Sequence, residues 1–262
     1  MHRRLAVHSR LMRTHLALLL LIVAASAFAE DPGHWAEVNG HRMYYETSGS
    51  GRPLLLLHGG GNSIHSSFAK QLDVFAKTHA IIAPEQIGHG HTPDAAGPFT
   101  YARMADDTAA LLVQLKLKDV DVMGWSDGGI VALILGVRHP ELVRRLVVSG
   151  ANFAPEGYFP DDVRQMRAKD VASPTKIAEK LNHLWATSPT SDELNPELLS
   201  GLHRRVLVMA GDHDLILLDH TIALYRALPD ARLCILPGTT HSTLIQRPEW
   251  VNAIVASFLE EP

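Results

Sequence analysis

The chain has 262 residues, 46% of them hydrophobic and 20% charged, with a formal net charge of −4. That is enough apolar material for a full hydrophobic core, so a disordered chain is excluded. A single cysteine, Cys234, excludes a disulfide scaffold, and without a basic excess no nucleic-acid partner is expected.

The first segment reads as an address rather than as part of the fold. Arg3, Arg4, Arg10 and Arg13 precede an apolar run from Leu16 to Val23, and Ala27-Phe28-Ala29 puts small residues where a signal peptidase reads. Residues 1–29 are therefore expected to be a secretory signal cut after Ala29. The apolar core from Leu16 to Phe28 is 13 residues, against the roughly 20 that span a bilayer, so no stable membrane insertion is expected after cleavage. Removing four arginines and no acid leaves 20 basic and 28 acidic side chains, hence a net charge of −8 on an exported protein, periplasmic or secreted.

Strand and helix signals then alternate. Trp35–Val38 and Met43–Thr47 flank Asn39-Gly40, a strong hairpin signal. The apolar runs Leu54–Leu57, Ala80–Ala83, Val120–Met123, Leu146–Val148, Val206–Met209 and Leu233–Leu236 have no alternation, as expected of strands covered on both faces. Helical patterns at Met104–Leu117, Ile130–Arg138, Thr221–Ala227 and Glu249–Leu259 complete the rhythm. The spacing predicts an α/β domain over residues 30–262, with a mostly parallel, doubly wound sheet entered through an antiparallel hairpin. One interval breaks the pattern. The 57 residues between Val148 and Val206 hold five prolines and short helical patterns such as Lys176–Trp185, so about 152–200 is expected to form a helical lid.

The chemistry begins at Gly124-Trp125-Ser126-Asp127-Gly128. A G-x-S-x-G pattern alone is a weak signal, and Ser126 could simply cap a helix. Here the pattern lies between a predicted strand and a predicted helix, the setting in which a serine on a strained turn projects its hydroxyl above a sheet. A serine hydroxyl needs a base and the base needs an orienting acid. Gly211-Asp212-His213-Asp214 and Gly238-Thr239-Thr240-His241 follow the last two predicted strands, which brings Ser126, an aspartate and His241 to one rim of the sheet. Asp214 is the expected acid, with Asp212 as the alternative. His58-Gly59-Gly60-Gly61-Asn62 follows the first parallel strand, and its glycines let backbone N–H groups approach a ligand. The expected oxyanion donors are the Gly60 and Asp127 amides. A phosphate loop is disfavoured, because no G-K-[ST] follows.

Together these motifs resemble the α/β-hydrolase superfamily over nearly the whole mature chain. Gly88-His89-Gly90-His91-Thr92 is similar to the family's loop after its fourth strand. Gly124-Trp125-Ser126-Asp127-Gly128-Gly129-Ile130 and Gly150-Ala151-Asn152 resemble the biphenyl hydrolase-like (valacyclovir hydrolase) branch. The resemblance implies an α/β-hydrolase fold with a lid after the sixth strand, no cofactor, and a small carboxylic ester as substrate. It further implies that Asp127, with Trp125 beside it, lines the substrate site and binds an amino group. Pro84-Glu85-Gln86 departs from the family's usual Pro-Asp at that point.

Other residues carry ordinary readings. His89-x-His91, and His213 between two aspartates, lack a third ligand at a suitable spacing, so no metal is expected. His58 is expected to hydrogen-bond the backbone of its loop, Asp106 and Asp107 to serve a helix start, and Cys234 to be a small buried apolar residue. Trp185 and Phe159 either face the pocket or pack the lid. The expected mechanism is acyl transfer through Ser126. A proline iminopeptidase-like peptidase, a cofactor-free perhydrolase and a binding protein without turnover remain alternatives. The oligomeric state is open.

Overall fold

The computed structural model describes residues 33–262, so the expected signal segment lies outside the described residues. In chain order the elements are β1 (Gly33–Val38), β2 (His41–Gly49), β3 (Arg52–Leu57), α1 (Ile64–Phe68), α2 (Leu72–Phe75), β4 (His79–Pro84), α3 (Tyr101–Gln114) and β5 (Val120–Trp125). Then come α4 (Asp127–Arg138), β6 (Val143–Ser149), α5 (Pro160–Ala168), α6 (Ile177–Thr187), α7 (Pro196–Ser200), β7 (Arg205–His213), α8 (Leu218–Ala227), β8 (Ala231–Thr240), α9 (Thr243–Gln246) and α10 (Pro248–Glu260). They build one eight-stranded sheet in the order β1-β2-β4-β3-β5-β6-β7-β8. The β1–β2 and β2–β4 pairs are antiparallel and all later pairs are parallel. At the hairpin Asn39 and Gly40 have φ of 43° and 88°, the left-handed pair that a two-residue turn between twisted strands demands.

The central strands are apolar on both faces because both faces are covered. Alternate residues of β3 point opposite ways. Leu55 and Leu57 join α3 and α4 in one core cluster, while Leu54 and Leu56 join Phe68, Leu244, Val255 and Phe258 in the other. The shorter strands expected from the apolar runs grow at their C-terminal ends. β7 reaches His213 and β8 reaches Thr240, because a register shift between Gly211 and His213 lets pairing resume at His213–Thr240. The Gly211-Asp212-His213 and Gly238-Thr239-Thr240 stretches, expected just beyond the strands, thus lie within them. Helix α3 begins at Tyr101 rather than Met104, where the Thr100 hydroxyl accepts the Arg103 N–H at 3.1 Å.

Between β6 and β7 lie α5, α6 and α7, the helical lid. It is tied to the body at polar points. In α6 the buried Lys180 ammonium donates to both oxygens of Asp94, at 2.8 and 2.9 Å, and to the Ala95 carbonyl at 2.8 Å. Near α7, Glu193 accepts the Ala102 N–H in the first turn of α3 at 3.0 Å. A β-bridge between Tyr158 and Ile216 joins the lid to the loop after β7.

Candidate active site

Ser126 sits at the turn from β5 into α4 with φ 56° and ψ −122°, a conformation that a side chain rarely adopts and that costs on the order of 1–3 kcal/mol. The turn closes only with glycine on both sides. A Cβ on Gly124 would overlap the Gly128 carbonyl, and one on Gly128 would overlap the Leu57 carbonyl. The backbone is pinned by Ser126 N–H to the Ser149 carbonyl at 2.8 Å. The Ser126 side chain makes no capping bond to α4. Its hydroxyl instead donates to His241 Nε2 at 2.8 Å.

His241, just beyond β8, donates from Nδ1 to Asp214 Oδ1 at 2.7 Å. That bond fixes the tautomer and leaves Nε2 free to accept from serine. Asp214 is buried and also accepts the Gly211 and Ile216 amides, at 3.3 and 3.1 Å. Asp212 faces elsewhere: it accepts the Thr239 amide at 3.0 Å and pairs with His213 at 2.9 Å. Backbone donation from Gly238, the His213 ring and the Thr239 amide hold its carboxyl down to about 2. It orders the bulge. Two further residues frame the imidazole. The Trp125 indole N–H donates to the His241 carbonyl at 2.8 Å, and Gly150 (φ 64°) lies so close that a Cβ would stand 2.7 Å from the His241 ring.

The loop after β3 supplies backbone donors. His58 donates from Nδ1 to the Gly59 carbonyl at 2.8 Å and accepts the Gln86 amide at Nε2 at 2.9 Å. Both contacts require the neutral ring, and burial, with nearby His89, lowers its pKa to about 3. Asn62 Nδ2 donates to the Gly60 carbonyl at 2.9 Å. Among the described residues neither the Gly60 nor the Asp127 amide has an acceptor. The Asp127 carboxylate, 4% exposed, accepts the Tyr101 hydroxyl on Oδ1 and the Trp185 indole N–H on Oδ2, each at 3.0 Å. Burial pushes its pKa up, against the pull of those two bonds. Tyr101 and Trp185 carry no sequence signal that would pair them with Asp127, since 26 and 58 residues separate them from it. Gly150 stood within a motif yet gave no hint of its contact.

These groups open on a cavity of about 440 Å³. Ser126, His241, Trp125, Asp127 and Gly60 form one side of it, and Tyr158, Asp162, Met166 and Trp185 come from the lid. Trp185 therefore faces the pocket, whereas Phe159 is 46% exposed and is not part of its lining. The remaining conspicuous residues have structural partners. Glu85, buried, accepts the His91 amide at 2.5 Å and the His91 ring at 2.9 Å, and so ties down the loop after β4. His89 donates to the Ile87 carbonyl at 3.0 Å, Asp106 pairs with Arg138 and His139, and Asp107 accepts Asn39 Nδ2 at 2.8 Å. Among the described residues no group of three or more His, Cys, Asp or Glu could hold a metal ion.

The sequence matches a family model described as alpha/beta hydrolase fold over residues 52–202. The chain belongs to the α/β-hydrolase fold family. Within it the chain lies near the serine hydrolase BPHL. The Homo sapiens protein is 38% identical over 120 residues, 44% of this chain and 41% of that protein. The Mus musculus protein is 28% identical over 250 residues, covering 85% of this chain and 84% of its own length. A 2-hydroxymuconate semialdehyde hydrolase of Pseudomonas putida is 28% identical over 263 residues, covering 85% of this chain and 92% of its length. A thermophilic esterase of Thermogutta terrifontis has the same fold, with a TM-score of 0.75 at 20% identity over 87% of this chain and 97% of that one. With these relatives, this member of the α/β-hydrolase family is a hydrolase.

Proposed function

We propose that this hydrolase cleaves small carboxylic esters through an acyl-enzyme on Ser126. The observation that carries the reading is the unbroken hydrogen-bonded chain Asp214–His241–Ser126 at the floor of the cavity, with two unclaimed amides beside it. His241 takes the serine proton as Ser126 Oγ attacks the ester carbonyl. The Gly60 and Asp127 amides receive the oxyanion, and His241 returns the proton to the leaving alcohol. Water then enters, loses a proton to the same Nε2 and attacks the acyl carbon; the acyl–Oγ bond breaks, His241 returns the proton to Ser126 and the acid leaves. Asp214 keeps the imidazole in the required tautomer and stabilises its charged form.

The cavity lining carries the carboxylates Asp127 and Asp162 and no Lys or Arg side chain. Such a lining favours neutral or cationic substrates over an anionic acyl part. It suits an amino-acyl ester whose ammonium group meets Asp127, and it disfavours a carboxylate-bearing semialdehyde. The test is hydrolysis of a p-nitrophenyl ester series, amino-acyl esters included, by wild type and Ser126→Ala. Wild-type turnover that disappears in Ser126→Ala is expected, with preference for the amino-acyl ester reduced in Asp127→Asn. Undiminished turnover in Ser126→Ala sinks the assignment. Activity confined to amides, or to peroxide-dependent halogenation, transfers it to a peptidase or a perhydrolase.

A further inference from the structure

The Asp127 carboxylate occupies an unusual place: it is almost fully buried, it adjoins the proposed oxyanion hole, and the two groups that hydrogen-bond it are neutral. One of them, Trp185, belongs to the lid. The same carboxylate packs on the second amide-bearing residue. A Cβ on Gly60 would overlap Asp127 Oδ2 and would stand 3.1 Å from Trp185 Cζ2, so carboxylate and indole together cover the Gly60 Cα. From the other side Asn62 holds the Gly60 carbonyl, and its own amide bonds to Gly59 at 3.2 Å. The Gly60 peptide is thus clamped between Asn62 and the Asp127–Trp185 pair, while Asp127 supplies the other amide directly.

We propose that Trp185 is a positioning residue for the oxyanion hole: its indole N–H, together with the Tyr101 hydroxyl, holds the Asp127 carboxylate against Gly60 and so aims both amides at the space in front of Ser126. The inference rests on the ester-hydrolase reading. A buried carboxylate without a charged partner stays put only while its hydrogen bonds are made, and an oxyanion hole works because its donors are fixed before charge develops. The lid is in this way part of the reacting apparatus, because α6 delivers the indole. Lys180, five residues earlier on that helix, fastens it to Asp94.

Trp185→Phe tests this, since it keeps an aromatic ring over Gly60 and removes only the donor. For a neutral p-nitrophenyl ester, kcat should fall about tenfold while KM stays within about twofold, a smaller loss than the 10²–10³ seen when an oxyanion donor is deleted outright. Phosphonylation of Ser126 by a fluorophosphonate, whose P=O oxygen enters the same hole, should slow by a similar factor. Tyr101→Phe should act in the same direction, which keeps the test alive if one variant fails to fold. In an Asp127→Ala background Trp185→Phe should cost nothing further, because the group it holds is gone. A higher KM at unchanged kcat would make Trp185 a substrate wall only. A lower melting temperature with unchanged kcat and labelling would make it a packing residue only; either result overturns the proposal. If wild type turns over no ester, the ester reading fails by itself, and equal labelling rates of wild type and Trp185→Phe then overturn this inference separately.

Discussion

Asp212 and Asp214 stand two residues apart at the end of β7, and only Asp214 faces His241. The difference is one of backbone direction: Asp212 sits in the bulged pairing with β8 and spends its oxygen on Thr239, whereas Asp214 lies past the strand with its carboxylate turned inward. Asp214→Asn should lower kcat by about 10³–10⁴ while leaving the fold intact, because an amide at this position favours the wrong histidine tautomer. Asp212→Asn should leave ester turnover within about threefold and cost stability only modestly, as its carboxylate is solvent-facing. Steady-state kinetics on the two purified variants decide between them, and the reverse ranking would make Asp212 the acid. From the sequence both aspartates were admissible; the choice turned on a register shift that no local pattern encodes.

Among the elements, the lid was visible as an interval without strands and rich in proline, but its attachment was not. The sequence shows only the short helical pattern Lys176–Trp185, in which nothing pairs Lys180 with Asp94. In the structure that lysine is 4% exposed, bonded to Asp94 and the Ala95 carbonyl, with its ammonium 5.2 Å from the centre of the Phe99 ring. Lys180→Met should weaken this anchor, leaving Asp94 with no ammonium partner. Breaking a buried pair costs about 3–5 kcal/mol, and Asp94 is partly open to water, so about 3 kcal/mol is the expected scale. The readouts are a lower melting temperature and faster protease cleavage within residues 153–204. A variant with unaltered melting and cleavage would show that the anchor contributes nothing measurable.

At the scale of the whole molecule, the buried His58 and the half-buried His220 couple stability to pH. Burial, with nearby His89, lowers His58 to about 3, and burial lowers His220 to about 4, both from 6.5. Between those values and 6.5 the unfolded chain binds protons that the folded chain refuses, so their contribution to stability rises with pH and is lost as pH falls. Each fully engaged histidine contributes a slope of about 1.4 kcal/mol per pH unit. Asp127, raised by burial, works in the opposite sense, since its folded form holds a proton more readily. Urea unfolding of wild type and His58→Gln at pH 7 and pH 4.5 isolates the His58 part. The variant should lose less stability on acidification than wild type, and an equal loss would argue against a neutral buried His58.

The sequence by itself determined the alternation of covered strands and helices, the hairpin turn, the Gly124-Trp125-Ser126-Asp127-Gly128 turn with its obligatory glycines, and the order serine, aspartate pair, histidine along the chain. These are local facts: a period of two or of 3.6, a glycine where a side chain cannot fit, a loop after an apolar run. Tertiary structure alone decided which aspartate meets His241, that Tyr101 and Trp185 converge on Asp127, that Gly150 makes room for the imidazole, and that Lys180 is buried. Each of these joins groups brought together only when sheet, helices and lid pack, and packing geometry depends on the summed shape of many side chains rather than on any segment read alone.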